Sequence, residues 1–365
     1  MKFQACLYTS ALCAIGALAQ PAGNSSPSWS PSKAASYLDS RIQWWMTWAP
    51  AQREQGTFCI SCHTAAPYAL GRPALHSALR EDGPSPDERR LAENVAKRVV
   101  SWNNLAPLYK DSETLPGKSA ESRGTESVLN ALVLVWSNRD TPSLSPEAKK
   151  ALDIMWSGQI ASGGAKGAWP WLQFHNSPWE GDSQFYGAAL AAIAIGNAAG
   201  DYRSSPDIQP KIAALREFIQ REYASRKPID RVMALWASTR IPGLVTPGQR
   251  DALIRTLAEN QREDGGFSLS TLVGDWTRHD GTPLETKSDG YATAVVAFAL
   301  QRAGIKSSDP IVERGLQWLR AHQQAQDGRW LAYSLNKQRD LNSDPGKFMS
   351  DAATAYSVMA LEAAR

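Results

Sequence analysis

Gln261-Arg262-Glu263-Asp264-Gly265-Gly266-Phe267 is written into this chain almost residue for residue a second time, as Gln52-Arg53-Glu54-Gln55-Gly56-Thr57-Phe58. Gln324-Ala325-Gln326-Asp327-Gly328-Arg329-Trp330 has the same Gln-x3-Gly-x-aromatic form. Gln159 to Gly167, followed by Trp169, is an expanded copy. The stretch reads as a turn. Glycine ends a helix, the aromatic ring fills the gap to the next unit, and the glutamine amide ties down loose backbone groups. Recurrence of one turn through a chain signals a repeat architecture.

Upstream of these turns lies a second marker, a capping residue followed by proline. It occurs at Ser30-Pro31, Ser85-Pro86, Ser145-Pro146, Thr246-Pro247 and Asp309-Pro310, with Gln209-Pro210 as a weaker copy. The side-chain oxygen accepts from the free N–H groups of a first helical turn, and proline at the first position has no N–H to lose. Each site therefore predicts a helix start. Downstream comes a third marker, a helix of small residues. Examples are Gly187 to Ala192, Thr293 to Leu300 and Thr354 to Leu361. Helices apolar on every side and rich in Ala are buried and closely packed. Each unit thus pairs a more polar outer helix with a buried inner one. The units cover about 33–76, 86–137, 146–197, 210–240, 247–302 and 310–364, and the second and fourth lack the glutamine turn.

The Gln-x3-Gly-x-(Trp/Phe) repeats with alternating helices resemble the α/α-toroid superfamily of squalene–hopene cyclases and protein prenyltransferase β subunits. The resemblance spans nearly all of the chain beyond residue 32. It implies an all-α (α/α)6 toroid, six inner and six outer helices around a central cavity, as one domain over 33–365. An open helical solenoid is the alternative architecture. The cyclases protonate their alkene with an Asp-x-Asp-Asp motif. Ser288-Asp289-Gly290 offers a single acid, so terpene cyclisation is disfavoured.

Composition narrows the class. Of 365 residues, 43% are hydrophobic and 21% charged, with 14 Trp, which excludes a disordered chain, a coiled coil or a collagen-like fibre. A net charge of +3 does not suggest nucleic-acid binding. Lys2, the apolar run Ala5 to Leu18 and the small-x-small triplet Ala17-Leu18-Ala19 read as a signal peptide over 1–19. Residues 20–32, rich in Ser, Pro, Gly and Asn, read as a disordered leader. No later stretch is long and apolar enough for a membrane span. The expectation is an exported protein, periplasmic or extracellular.

Cys6 and Cys13 fall in the signal peptide, leaving Cys59 and Cys62 for the exported chain. Cys59-Ile60-Ser61-Cys62-His63 directly follows the first turn and leads into the first inner helix, at the rim position where other repeats place carboxylates, so the site is expected to face the cavity. Cys-x-x-Cys-His is the attachment motif of c-type haem and resembles that of c-type cytochromes. On that reading two thioethers hold the cofactor, His63 is the proximal ligand of the iron, and His175 or His279 is the distal candidate. The protein then serves electron transfer, redox sensing or haem-assisted oxidation, with a periplasmic redox partner. Zinc is the second reading, with Cys59, Cys62 and His63 as three ligands and a fourth position open. Prenyltransferases and lanthionine cyclases, which resemble this chain in fold, hold zinc at the cavity rim, although from separate repeats. A third reading is a binding module with a structural cysteine pair.

Other chemistry clusters at the starts of the inner helices. Glu126, Asp182 and Asp289 are candidate catalytic carboxylates, with helix capping as their plainer role. Trp171, Trp179, Trp276, Tyr291 and Asp351 are candidates to line the cavity and a small-molecule ligand within it. The long loops Trp169 to His175 and Asp275 to Asp280 are of the kind that carry function. Polysaccharide lyases and hydrolases with related α/α barrels enter by fold analogy alone.

Overall fold

A computed structural model describes residues 28–181 and 183–365. The expected signal peptide, most of the expected leader, Cys6, Cys13 and Asp182 lie outside the described residues. Each Ser/Thr/Asp-Pro marker begins a helix. Ser30, Ser85, Ser145, Thr246 and Asp309 accept first-turn N–H groups with their side chains. They open α1 (Pro31–Thr47), α3 (Pro86–Val100), α5 (Pro146–Ser157), α9 (Pro247–Asn260) and α11 (Pro310–Ala321). The weaker Gln209-Pro210 marker opens α7 (Gln209–Glu222) with no side-chain cap. Because α1 starts at Pro31, the last two residues of the expected leader are helical.

The inner helices are α2 (Ala65–Gly71), α4 (Lys118–Ser137), α6 (Phe185–Gly196), α8 (Pro228–Ser238), α10 (Gly290–Arg302) and α12 (Phe348–Glu362). Every residue of α6 is buried, as its Ala-rich sequence requires. The outer helices bury one stripe: Ile311, Val312, Gly315, Leu316, Trp318 and Leu319 on α11 recur at helical spacing. Inner helices pack in the order α2–α4–α6–α8–α10–α12, and α12 returns to α2. The ring is therefore closed, and the solenoid alternative fails. Closure joins the two ends of the described chain. Gln323 Oε1 accepts from Ser30 N at 2.6 Å, its Nε2 donates to Ser30 O at 3.0 Å, and Trp29 packs on Trp330.

The glutamine turns work as the repeat implies, with two changes. Gln261 Nε2 donates to Gly265 O within its own turn and to Ile311 O at the start of the next outer helix. Gln159 does the same with Gly167 and Lys211. In the last repeat this role falls to Gln323, one residue before the expected Gln324. In the first, Gln52 turns back onto Met46 and Trp48 at the end of α1. The turn residues Phe58, Trp169, Phe267 and Trp330 are all buried.

Close helix packing rests on missing side chains. A Cβ on Gly187 of α6 would sit 2.1 Å from the Trp171 ring, which is fully buried. Gly187→Ala is expected to cost about 1–3 kcal/mol by overpacking. Equilibrium urea unfolding should show a lower midpoint with an unchanged slope.

Below the mouth of the ring, aromatic side chains fill the axis. Trp179 meets Tyr291 at 6.0 Å, Tyr291 meets Tyr356 at 5.7 Å, and Tyr356 meets Trp236 at 6.2 Å, each nearly edge to face. Trp136 and Phe298 continue the stack.

Candidate functional site

The first turn folds as a short hairpin, β1 (Gln52–Arg53) with β2 (Thr57–Phe58). Gln55 and Gly56 at its tip both have φ near +60°. Asn94 of α3 clamps Phe58, donating to its carbonyl and accepting from its N–H, both at 2.9 Å. Cys59 follows, its N–H bonded to Ala51 O and its carbonyl to Trp45 Nε1. Ser61 Oγ then accepts from Thr64 N and Ala65 N and so caps α2. These bonds fix the Cys59–His63 segment at the mouth of the ring.

There the segment forms one wall of a cavity of about 240 Å³. Cys59, Cys62 and His63 face Glu126 of α4 and Glu180 of the loop before α6, with Trp48, Tyr109 and Phe348 around the opening. The geometric expectation is met, since the motif does look into a hollow. Its chemistry differs from the expectation. Both cysteines are free and buried. Burial pushes the Cys59 thiol up to about 11 and holds Cys62 well above the ordinary thiol range. Burial, with Arg41 and Arg339, lowers His63 to about 3, so the imidazole is neutral. Its ring is stacked on Phe348 at 3.8 Å and meets the edge of Trp45 at 5.1 Å. Among the described residues, no three His, Cys, Asp or Glu side chains come together as a metal-holding group.

The two carboxylates of the cavity are held differently. Glu126 Oε1 accepts from Arg98 Nε at 2.6 Å, and Arg98 is fully buried. Glu126 Oε2 is buried with no hydrogen-bond partner. Burial raises Glu180 above the usual carboxylate range, against the opposing pull of its Asn176 hydrogen bond and Lys118. Glu180 therefore keeps its proton to higher pH.

The remaining candidates separate. Glu126 lies in the third turn of α4, not at a helix start. Asp289 does cap α10, accepting from Ala292 N and Leu269 N, and burial pushes it up to about 7. It is spent on backbone and is absent from the cavity wall. Asp351 is bound by Tyr37, Arg41 and Thr64 behind His63. Trp171 is sealed, its Nε1 donating to Trp179 O. Trp179 and Tyr291 belong to the axial stack. Trp276 lines a separate hollow of about 120 Å³ with Tyr186 and Asp230. His175 stacks on Trp276 at 4.0 Å and packs on His279 at 4.9 Å. The two distal-ligand candidates thus meet each other where their loops cross, away from the His63 cavity. The motif reading passed over Glu180, Thr64 and Tyr109. Position next to Trp179, or next to His63, was the only signal for the first two.

No protein-family model and no curated protein matches the chain. Solved structures do match, over nearly its whole length. A polysaccharide lyase shares 11% identity, covering 91% of this chain and 96% of its own, with a TM-score of 0.55. A Salmonella enterica serovar Paratyphi A protein, described as a possible member of glycoside hydrolase family 105, shares 10%, covering 95% and 96%, at 0.54. A family 76 α-1,6-mannanase from Salegentibacter shares 10%, covering 92% and 98%, at 0.51. The class is thereby fixed as an α/α toroid. These three structures are described as a polysaccharide lyase, a possible family 105 member and a mannanase, whereas the repeats resemble cyclases and prenyltransferases.

The expectation of a haem c protein for electron transfer is overturned on the same ground. Among the described residues no helix is long and apolar enough to cross a membrane.

Proposed function

We propose that this chain is an exported carbohydrate-active enzyme that cleaves glycosidic bonds at the Glu126–Glu180 cavity. One observation carries the reading: a single hollow holds a carboxyl biased toward its protonated form and a second carboxylate paired with Arg98. Glycoside cleavage needs that division. A protonated acid delivers its proton to the leaving oxygen, and a negative group stabilises the oxocarbenium-like transition state. Glu180 is the donor, and Glu126, with one free oxygen, is the stabilising carboxylate. The likeness in fold to a polysaccharide lyase, a possible family 105 member and a mannanase supports the same class. The signal-peptide-like N-terminus suits a substrate outside the cell.

The opening has the surface a sugar ring needs. Trp48 is stacked with Trp44 at 4.9 Å, and Trp48, Phe348 and Tyr109 line the same cavity. Trp48→Ala is expected to raise KM about fivefold while kcat is retained, from loss of about 1 kcal/mol of stacking. Initial rates against glycan concentration measure it.

The reading is tested on a panel of neutral and acidic polysaccharides, scored by new reducing ends. At least one should be cut by the wild-type protein and spared by Glu180→Gln. A folded wild-type protein that cuts none of them, or a Glu180→Gln variant as active as wild type, overturns it.

A further inference from the structure

His63 Nδ1 lies 2.9 Å from Thr64 Oγ1. Thr64 Oγ1 in turn donates to Asp351 Oδ2 at 2.7 Å, across 287 residues of chain. Asp351 also receives Tyr37 Oη and Arg41 Nε on its other oxygen, at 2.7 and 2.8 Å. A threonine hydroxyl has one proton. Thr64 spends that proton on Asp351, so toward His63 it can only accept. The proton of the neutral imidazole must therefore sit on Nδ1, and Nε2 must carry the lone pair. Thr64 and Asp351 are both 2% exposed, so water does not compete for these bonds. His63 itself lines the cavity with part of its surface open. Phe348 on one face and Trp45 at the edge fix the ring plane. Among the described residues Nε2 has no protein partner.

We infer that His63 is a general base, held by the Asp351–Thr64 relay as the Nδ1–H tautomer with Nε2 presented to the cavity. This rests on the glycan-cleaving reading and names the proton acceptor that reading lacks. Its substrate proton is that of a water molecule attacking the anomeric carbon. The water oxygen forms the new C–O bond as its proton passes to Nε2. The glycosidic C–O bond breaks, and the departing oxygen takes the Glu180 proton. Solvent then carries the proton from His63 back to Glu180. One water and one glycosidic bond are consumed, and the enzyme returns to its starting state. Burial with Arg41 and Arg339 disfavours the imidazolium, so the proton is held only in passing, steadied through Thr64 by Asp351 as a buried carboxylate orients and steadies a catalytic histidine elsewhere. His63 is the catalytic residue here, while Thr64 and Asp351 act by positioning it.

The test separates this inference from the reading beneath it. The full chain is labelled with ¹⁵N-histidine, and the His63 signals are assigned by their loss in His63→Gln. Wild type should show Nδ1 protonated and Nε2 bare. Thr64→Val, nearly isosteric and leaving the Arg41–Asp351 pair in place, should shift His63 to the Nε2–H or a mixed tautomer. On a glycan that wild type cuts, His63→Gln should lower kcat by about 10²–10⁴-fold, and Thr64→Val by a smaller factor with little change in KM. A wild-type Nε2–H tautomer overturns the inference, as does a His63 tautomer that ignores Thr64→Val. A His63→Gln variant that cuts as fast as wild type overturns it too. A wild type that turns over no glycan overturns the glycan reading, and the tautomer then still decides the relay by itself.

Discussion

Glu180→Gln is expected to lower kcat for glycan cleavage by about 10²–10⁴-fold while KM stays within a few-fold. The amide has nearly the carboxyl's shape and keeps an oxygen for the Asn176 side chain, which bonds Glu180 Oε2 at 3.2 Å. It has no acidic proton to give. The loss should therefore depend on the leaving group. Substrates with an acidic phenol as aglycone depart without help and should keep far more activity than natural glycosidic bonds. The pH profile supplies a second signature. Glu180 acts in its protonated form, and burial raises its pKa above the ordinary carboxylate value. Wild-type activity should fall as pH rises through that raised pKa, and the variant should lack this limb. Stability follows the same sign. A carboxyl whose folded pKa lies above its unfolded value favours folding below the unfolded pKa and loses that contribution as pH rises through the folded one. Urea midpoints of wild type should drop across that window, and those of Glu180→Gln should be flatter. Rates on paired aglycones and unfolding at several pH values check both halves.

Asp351→Ala should be the most damaging single change to the fold, at about 3–5 kcal/mol, because it strands a buried charge. Arg41 is 5% exposed and gives Nε to Asp351. Its other contact, Asp344, is much more open to solvent and compensates only in part. Tyr37 and Thr64 lose their acceptor as well. The same carboxylate joins α1 and α2 to α12, so the loss falls on the seam that closes the ring. Asp351→Asn keeps an acceptor for two of the three donors and should cost less. Chemical unfolding of both variants tests this, and an Ala variant as stable as wild type would show that the seam is held elsewhere. Because Asp351 also backs His63, activity loss in these variants must be read beside stability, which is why Thr64→Val is the sharper probe of the relay.

The fold was legible because its signals are local. Ser85 and Pro86 start a helix through the bonds of one turn, and Gly265 ends its stretch by its own φ of +89°. Repetition then turned local signals into a global statement, since each unit can bury its inner helix only against its neighbours. The departures are local too. Gln323 replaces Gln324 because the last turn is one residue longer, and Gln52 bends back because its turn folds as a hairpin.

The candidate site was legible only in part. The Cys59–His63 segment was expected at the mouth of the ring facing inward, and it is there. Its meaning was not readable from spacing. Cys-x-x-Cys-His matches a haem motif by residue type, but how far its thiols and imidazole are buried depends on what surrounds them. Here the thiols are buried and protonated, and Phe348, 285 positions further along the chain, covers the ring.

By itself the sequence determined the helix starts, the turns, the pairing of polar outer with buried inner helices, and hence an array of stacked repeats. Those follow from bonds and side-chain periods within a few residues. Only the tertiary structure decided that Glu180 shares a hollow with Glu126, and that Asp351 reaches His63 through Thr64. Desolvation, orphaned oxygens and proton placement are set by groups distant in sequence that meet only once the ring has closed.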